Sequence, residues 1–475
     1  MTEEEFNELL EAALRKNISW CKGVKLVERL SGGASQETYR IVVEADSKTP
    51  RLIALRRAPG GVKSDAAIGP GPGLGVEAKL MQLAALAGVP EPEVYYILRP
   101  EDGLGEGFAM EWIEGEALGA KITRSKDLEE LRETLAYKCG EILARIHSVD
   151  LDSTGLREDL ETFSPEELIN NSWERYKGFG TPQPMIDYAA RWLLDNVPIL
   201  HKEALVHNDF RNGNFMVNQD SITAVLDWEV AHIGDPMRDL GWICTNSWRF
   251  GRSDLPVGGF GSYEDLIRGY EEQSGQSIDL ASIQYWEVMG SFWWAVGCLG
   301  MVEHYREGPD QTVERPGIGR RSSECQIDCV NLLIPGPVEL VEGADLDDSH
   351  EMPRINELLA SVTDFLRGDI MSATEGRTNF LARVASNSLD IVSRDLSLGN
   401  GARANELQRL REYFSSKGSL DELRWSLVDG LRDGTIPLND KELNDHLRQT
   451  VVNQVAIDQP RYSGFNIALA GSYDD

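Results

Sequence analysis

The chain has 475 residues, is 41% hydrophobic and 26% charged, and carries a formal net charge of -31; such a composition is ordinary for globular protein, and the length predicts two or three domains. So acidic a chain argues against nucleic acid and anionic membrane as partners, because both are bound by surface Lys and Arg displacing counterions. The longest strongly apolar stretch, about Phe292 to Val302, is too short to cross a bilayer and runs directly into Glu303, His304 and Arg306.

The N-terminus, MTEEEF, is acidic where an export signal needs positive charge, and Phe6, Leu9, Leu10, Ala13 and Leu14 recur at helical spacing. Six cysteines are scattered, and the close pair Cys325 and Cys329 lacks the second ligand pair of a zinc site. A cytoplasmic location with reduced thiols is expected. KLVERLSGGASQETYRIVVEA and PRLIALRRA predict antiparallel strands; a Gly/Pro stretch from Pro59 to Gly75 then leads into a helix closed near Gly88. YYILRPED and GFAMEWIEG read as two further strands, so residues 1–115 form a small β-rich lobe.

From 116 to 340 the pattern is mainly helical, interrupted by ALVHNDFRNGNFMV and SITAVLDWEVAHIGDP, short apolar strands that end in polar residues. Trp286, Trp293 and Trp294 recur near helical spacing and read as core or groove wall. A seam rich in Pro, Gly and acid precedes residues 345–475, where nearly every segment reads as helix.

The sharpest chemical signal is His207, Asp209 and Asn214 in VHNDFRNGNFMV, followed by Asp227 in AVLDWE. Phosphoryl transfer needs these residue types: a carboxylate at Asp209 can orient an attacking hydroxyl and accept its proton, and Asn214 and Asp227 offer hard oxygens to Mg²⁺ on nucleotide phosphates. Each residue alone would read as a turn cap or a core histidine. Together, at the ends of apolar strands, they read as a site.

HNDFRNGNFMV with LDWE and GDPMRDLGW resembles the aminoglycoside and choline kinase branch of the protein-kinase-like fold, over roughly residues 20 to 335. The resemblance is nearest to bacterial phosphotransferase family proteins, whose relatives include domains fused to acyl-CoA dehydrogenases. It implies an α+β, two-lobed protein-kinase-like fold with an all-α C-terminal domain, and ATP with Mg²⁺ as cofactors. Asp209 then matches the catalytic base, Asn214 and Asp227 the metal ligands, and His207 the histidine bracing the loop. Asp239 matches an aspartate that braces the same loop, while Asp235 reads equally as a helix cap.

In the first lobe the resemblance places Arg56 where the family has its phosphate-binding lysine, with Arg57 the competitor, since strand alternation lets only one face the nucleotide. Glu77 matches the glutamate that pairs with that cation; its bland reading is a solvated first-turn acid. Ser31, Gly32 and Gly33 occupy the place of the glycine-rich loop, and the backbone of Glu111 and Ile113 that of the adenine contact. The implied acceptor is a small-molecule hydroxyl, with a hydroxylated acyl-CoA suggested by the dehydrogenase association. The alternatives are a nucleotide-binding pseudokinase scaffold, prompted by Arg56, and an aminoglycoside-resistance kinase. The helical tail offers oligomer formation or partner docking; its Asn379, Arg383, Asn387 and Arg394 share one helix face, which reads as either a solvated face or a ligand site.

Overall fold

A computed structural model describes residues 1–30, 36–45, 49–58, 71–200, 202–308, 311–347 and 350–471. The glycine-rich-loop candidates Ser31, Gly32 and Gly33 lie outside the described residues. The chain forms two compact units, Met1–Ser164 with Ile199–Trp286, and Pro165–Pro198 with Glu287–Asp475.

The first unit opens with helix α1 (Glu3–Asn17), whose start is fixed by reciprocal capping between Thr2 and Glu5. Its apolar stripe, Phe6, Leu10, Ala13 and Leu14, is buried against one face of a five-stranded antiparallel sheet. The strands are β1 (Cys21–Arg29), β2 (Glu37–Ala45), β3 (Arg51–Arg57), β4 (Val94–Ile97) and β5 (Gly107–Glu111), in the order β1-β2-β3-β5-β4. Period-two alternation along β3 sends Ile53 and Leu55 into that core. Arg57 follows them, donating to Leu104 O and Glu37 and lying over the Phe6 ring. Arg56 therefore faces the other way, where helix α2 (Leu74–Leu86) lies between β3 and β4 in sequence.

Below the sheet strands in sequence come α3 (Gly119–Arg124), α4 (Glu129–Ile146) and α5 (Leu156–Asp159), then α6 (Pro165–Gly178) and α7 (Pro184–Asp195) of the second unit. Two short antiparallel ribbons follow in the first unit: β6 (Ala204–Val206) pairs with β9 (His232–Gly234), and β7 (Phe215–Val217) with β8 (Ile222–Val225). This nesting puts the β6–β7 loop beside the β8–β9 loop. Helices α8 (Met237–Cys244) and α9 (Tyr263–Ser274) follow, and the unit ends at Trp286. Glycine sets the α4–α9 contact: a Cβ on Gly140 would stand 2.2 Å from Leu266 O, and one on Gly269 would stand 2.0 Å from Tyr137 O.

Among the described residues the second unit's regular elements are all helices. It takes in α10 (Leu280–Glu307) from Glu287 onward, α11 (Glu314–Arg320), α12 (Ser322–Leu333), α13 (Ile355–Phe365), α14 (Met371–Ala373), α15 (Gly376–Arg394), α16 (Asn400–Phe414), α17 (Leu420–Asp433), α18 (Lys441–Asp458) and α19 (Ser463–Ala470). Buried Asp187 on α7 holds Arg432 of α17 at 2.7 Å. The polar face of α15 is tied up locally: Asn379 donates to Met371 O and Thr374 O, and Arg394 to Ile457 O and Asp458 O. Among the described residues no helix is long and apolar enough to cross a membrane.

Candidate active site

Two loops make the site. Asp209 and Asn214 lie on the loop from β6 to β7, and Asp227 on the loop from β8 to β9. A backbone bond from Leu226 N to Asn214 O, 2.8 Å, locks the two loops side by side. Asn208 (φ 66) and Asp227 (φ 73) both adopt the left-handed conformation, which costs a non-glycine residue about 1–3 kcal/mol and persists only where neighbours enforce it.

For Asn208 the enforcer is Asp239 on α8. One carboxylate oxygen accepts the His207 backbone N–H at 2.8 Å, the other that of Asn208 at 2.7 Å. His147 also meets Asp239 at 3.1 Å and is itself bonded to Tyr270. Burial raises the Asp239 carboxyl, but the His147 contact and these N–H groups outweigh it and hold it below the usual carboxylate range. His207 donates from Nε2 to Leu226 O at 3.1 Å, and its Nδ1 accepts the Asp209 backbone N–H at 3.2 Å. Burial keeps its imidazole below the ordinary value and so neutral. Asp235 caps α8 through the Met237 N–H, 2.9 Å, and accepts from buried Trp286, which belongs to the core.

The Asp209 carboxylate is saturated. Its Oδ1 accepts Arg211 Nε at 2.9 Å and Trp242 Nε1 at 2.8 Å, and its Oδ2 accepts Arg211 Nη2 at 3.3 Å and Asn214 Nδ2 at 2.5 Å. A carboxylate has about four lone-pair directions, so every one is taken. Arg211 also stacks 4.0 Å over the Trp248 ring.

Across the β3 face, Arg56 Nη2 meets Asp227 Oδ1 at 2.5 Å and Glu229 at 3.5 Å, while its Nε meets Glu77 at 3.3 Å. Glu77 is 2% exposed, which rules out the solvated first-turn reading. Burial pushes its carboxyl up to about 7, whereas at Asp227 the Arg56 guanidinium outweighs burial and the carboxyl is lowered. Arg57 belongs to the opposite face, as described. Glu111 ends β5 with its N–H given to Glu93 O at 2.8 Å, and Ile113 follows in the half-buried segment leaving the sheet.

The donor chemistry fits a hard divalent cation. Asn214 spends its Nδ2 on Asp209 O and Oδ2, which leaves its carboxamide oxygen; Asp227 spends Oδ1 on Arg56, which leaves Oδ2. Two protein oxygens suit Mg²⁺, which completes its shell with water and phosphate. No group of three His, Cys, Asp or Glu poised for a metal occurs among the described residues.

Sequence reasoning missed Arg211, Trp242, Glu229 and His147. Arg211 and Glu229 stand two residues beyond Asp209 and Asp227, a spacing that could have flagged them; Trp242 and His147 carry no local signal.

Residues 26–273 match the Phosphotransferase enzyme family, and residues 372–462 match a Domain of unknown function (DUF6285). "Acyl-CoA dehydrogenase family member 10" of Mus musculus is 28% identical over 260 residues, covering 53% of this chain and 22% of that protein. This chain thus spans about a fifth of that relative's length. "4-hydroxytryptamine kinase" of Psilocybe cyanescens is 21% identical over 296 residues, covering 56% of this chain and 80% of that one. A crystal structure from Ralstonia eutropha, provisionally assigned as an aminoglycoside phosphotransferase, superposes with a TM-score of 0.53 at 22% identity, covering 67% of this chain and 95% of the other. That likeness establishes the kinase-like fold.

Proposed function

The chain belongs to the phosphotransferase enzyme family, and on that premise we propose that it is an ATP- and Mg²⁺-dependent kinase that moves the γ-phosphate to a hydroxyl of a small molecule. The observation that carries this reading is the convergence of Asp209, Asn214 and Asp227 on two adjoining loops, with Arg56 and Glu77 paired beside them. Mg²⁺ would be held by the carboxamide oxygen of Asn214 and the free oxygen of Asp227, and would neutralise phosphate charge. Arg56 would take phosphate oxygens in its fork once they compete with Asp227.

Asp209 orients the acceptor hydroxyl and takes its proton as the hydroxyl oxygen attacks the γ-phosphorus and ADP departs. Because all its lone pairs are occupied, one donor has to yield, and Arg211 is the candidate: it makes two of the four bonds and has an alternative seat on Trp248. Asp239 and neutral His207 hold the loop while this happens. The acceptor we favour is a hydroxylated acyl-CoA or acyl chain, supported by the match to a protein named as an acyl-CoA dehydrogenase family member.

A second reading, a nucleotide-binding scaffold without turnover, is favoured by one observation: Arg56, which the resemblance puts in the place of the phosphate-binding lysine, is already engaged by three acidic side chains. ATP binding with and without Mg²⁺, measured by calorimetry on the wild type and Asp227→Ala, separates the two when followed by a transfer screen over hydroxyacyl-CoAs, aminoglycosides and choline-like alcohols. Metal-dependent binding lost in the variant, with transfer to one class, supports the kinase. Metal-independent binding without transfer supports the scaffold. Asp209→Ala is expected to lower turnover by about 10²- to 10⁴-fold, the usual worth of a positioned base; unchanged turnover would remove Asp209 from that role.

A further inference from the structure

Helix α13 of the second unit is apolar over a wider arc than its packing uses. It lies along α15, with Thr363 buried and Leu359 half-buried. Beside that inner side runs a second row, Ile355, Leu358, Val362 and Phe365, which are 51%, 54%, 48% and 52% exposed. A helix whose apolar residues extend well beyond one packed face is normally covered on the remainder too. Single exposed apolar side chains need no explanation, but four in one row leave roughly 400 Å² of contiguous apolar surface, a size at which exposed patches are often functional.

The row is complementary to a copy of itself. Its members are spaced by three, four and three residues, the a/d pattern of a helical seam, and that pattern reads the same in both directions. An antiparallel second α13 therefore brings Ile355 opposite Phe365 and Leu358 opposite Val362. Each pair then occurs twice about a two-fold axis, as an isologous interface requires.

The charges leave this seam clear. At about 100° per residue, Glu357 and Asp364 fall on the far side of the helix, and the residue bordering the row on its open side is Ser361. An acidic far side also argues against a lipid surface, which is met by helices with Lys and Arg there. Met352, at the entry to the helix, is 96% exposed. Two such rows face to face, with Met352 and the polar rim, bury roughly 1,000–1,200 Å², the small end of the range for specific interfaces.

We propose that this face of α13 is the contact through which two copies of the chain associate as an antiparallel, two-fold dimer. The two helices pack about 8–10 Å apart. An interface of this size gives reversible association, with a dissociation constant in the micromolar range. The reading is independent of phosphoryl transfer.

Sedimentation equilibrium of the full chain from about 1 to 100 µM, which brackets that constant, tests it. A rise from monomer towards dimer mass is expected for the wild type. Leu358→Glu, which sets two carboxylates into the seam, should raise the dissociation constant at least tenfold. Its thermal midpoint at the lowest concentration should match the wild type, because a side chain already half in water has little folded contact to lose. Orientation is read by mixing Leu358→Cys and Val362→Cys proteins under mild oxidation, with the wild type as control for its own cysteines: the mixture should form far more disulfide-linked dimer than either variant alone. A wild type that stays monomeric throughout, a dimer unchanged in Leu358→Glu, or single variants that cross-link as well as the mixture would each overturn the proposal. So would a lowered midpoint in Leu358→Glu, which would mean that the row is covered within its own chain.

Discussion

Arg56 and Asp227 are 171 residues apart in sequence and form a direct ion pair, with 2.5 Å between Nη2 and Oδ1. The same guanidinium serves Glu77 and Glu229, so one cation is shared among three acidic side chains. Arginine can do this because its planar fork offers donors in several directions; an ammonium is a single point charge.

Arg56→Met should therefore leave three acids without a countercharge and lower stability by about 3–5 kcal/mol, the usual effect of stranding buried charge. Arg56→Lys keeps the charge but reaches fewer partners, and should fall between the two. Chemical denaturation of the three proteins checks the order. A Met variant as stable as the wild type would mean that the acids simply take up protons.

Asp239→Asn is a near-isosteric change whose effect follows from donor counting. The carboxylate accepts two backbone N–H groups and His147, and a carboxamide would turn an N–H toward at least one of those donors. Bonds to a charged acceptor are worth about 1.5–3 kcal/mol each, so a loss of about 3 kcal/mol is expected. Turnover should fall as well, because Asn208, held left-handed by Asp239, immediately precedes Asp209. Thermal midpoint and turnover measured on the same preparation should move together.

The candidate site residues of the β6–β7 loop were legible in sequence because their spacing is local: His207, Asp209 and Asn214 share one loop, and a short hairpin carries the chain to Asp227. Strand alternation was enough to state that Arg56 and Arg57 face opposite ways, and their partners on the two faces of the sheet bear this out. Two partners, Trp242 of Asp209 and His147 of Asp239, were not legible. Trp242 and His147 reach them through the packing of α4 and α8, which no periodicity encodes.

Gly140 and Gly269 carry a prediction about the fold itself. Their Cβ positions fall at 2.2 Å and 2.0 Å from backbone oxygens of the facing helix, and backbone cannot rotate aside as a side chain can. Gly140→Ala and Gly269→Ala should each destabilise by about 2–3 kcal/mol, at the upper end of overpacking costs. Gly75→Ala in α2 has nothing among the described residues within 4 Å of its new Cβ, and should stabilise by about 0.5–1 kcal/mol through the lower chain entropy of alanine. Denaturant midpoints for the three variants test the contrast in sign.

Two buried groups of the first unit titrate over one pH window with opposite sign. Glu77 is raised by burial from 4.5 to about 7, so the fold favours its protonated form. Its contribution is complete below pH 4.5 and is lost as pH rises through 7. His232 is lowered, chiefly by burial, from 6.5 to about 4, so the fold favours its neutral form. Its contribution is complete above pH 6.5 and is lost as pH falls through 4. Each is worth about 3 kcal/mol across its window, and in the wild type the two slopes largely cancel. Glu77→Gln should leave a protein whose stability climbs between pH 4 and 6.5, and His232→Gln one whose stability declines between pH 4.5 and 7. Thermal midpoints of both variants measured across pH 4 to 7.5 decide it: parallel curves would show that neither group is perturbed by the fold, whereas slopes of opposite sign would fix both protonation states at the pH where activity is assayed.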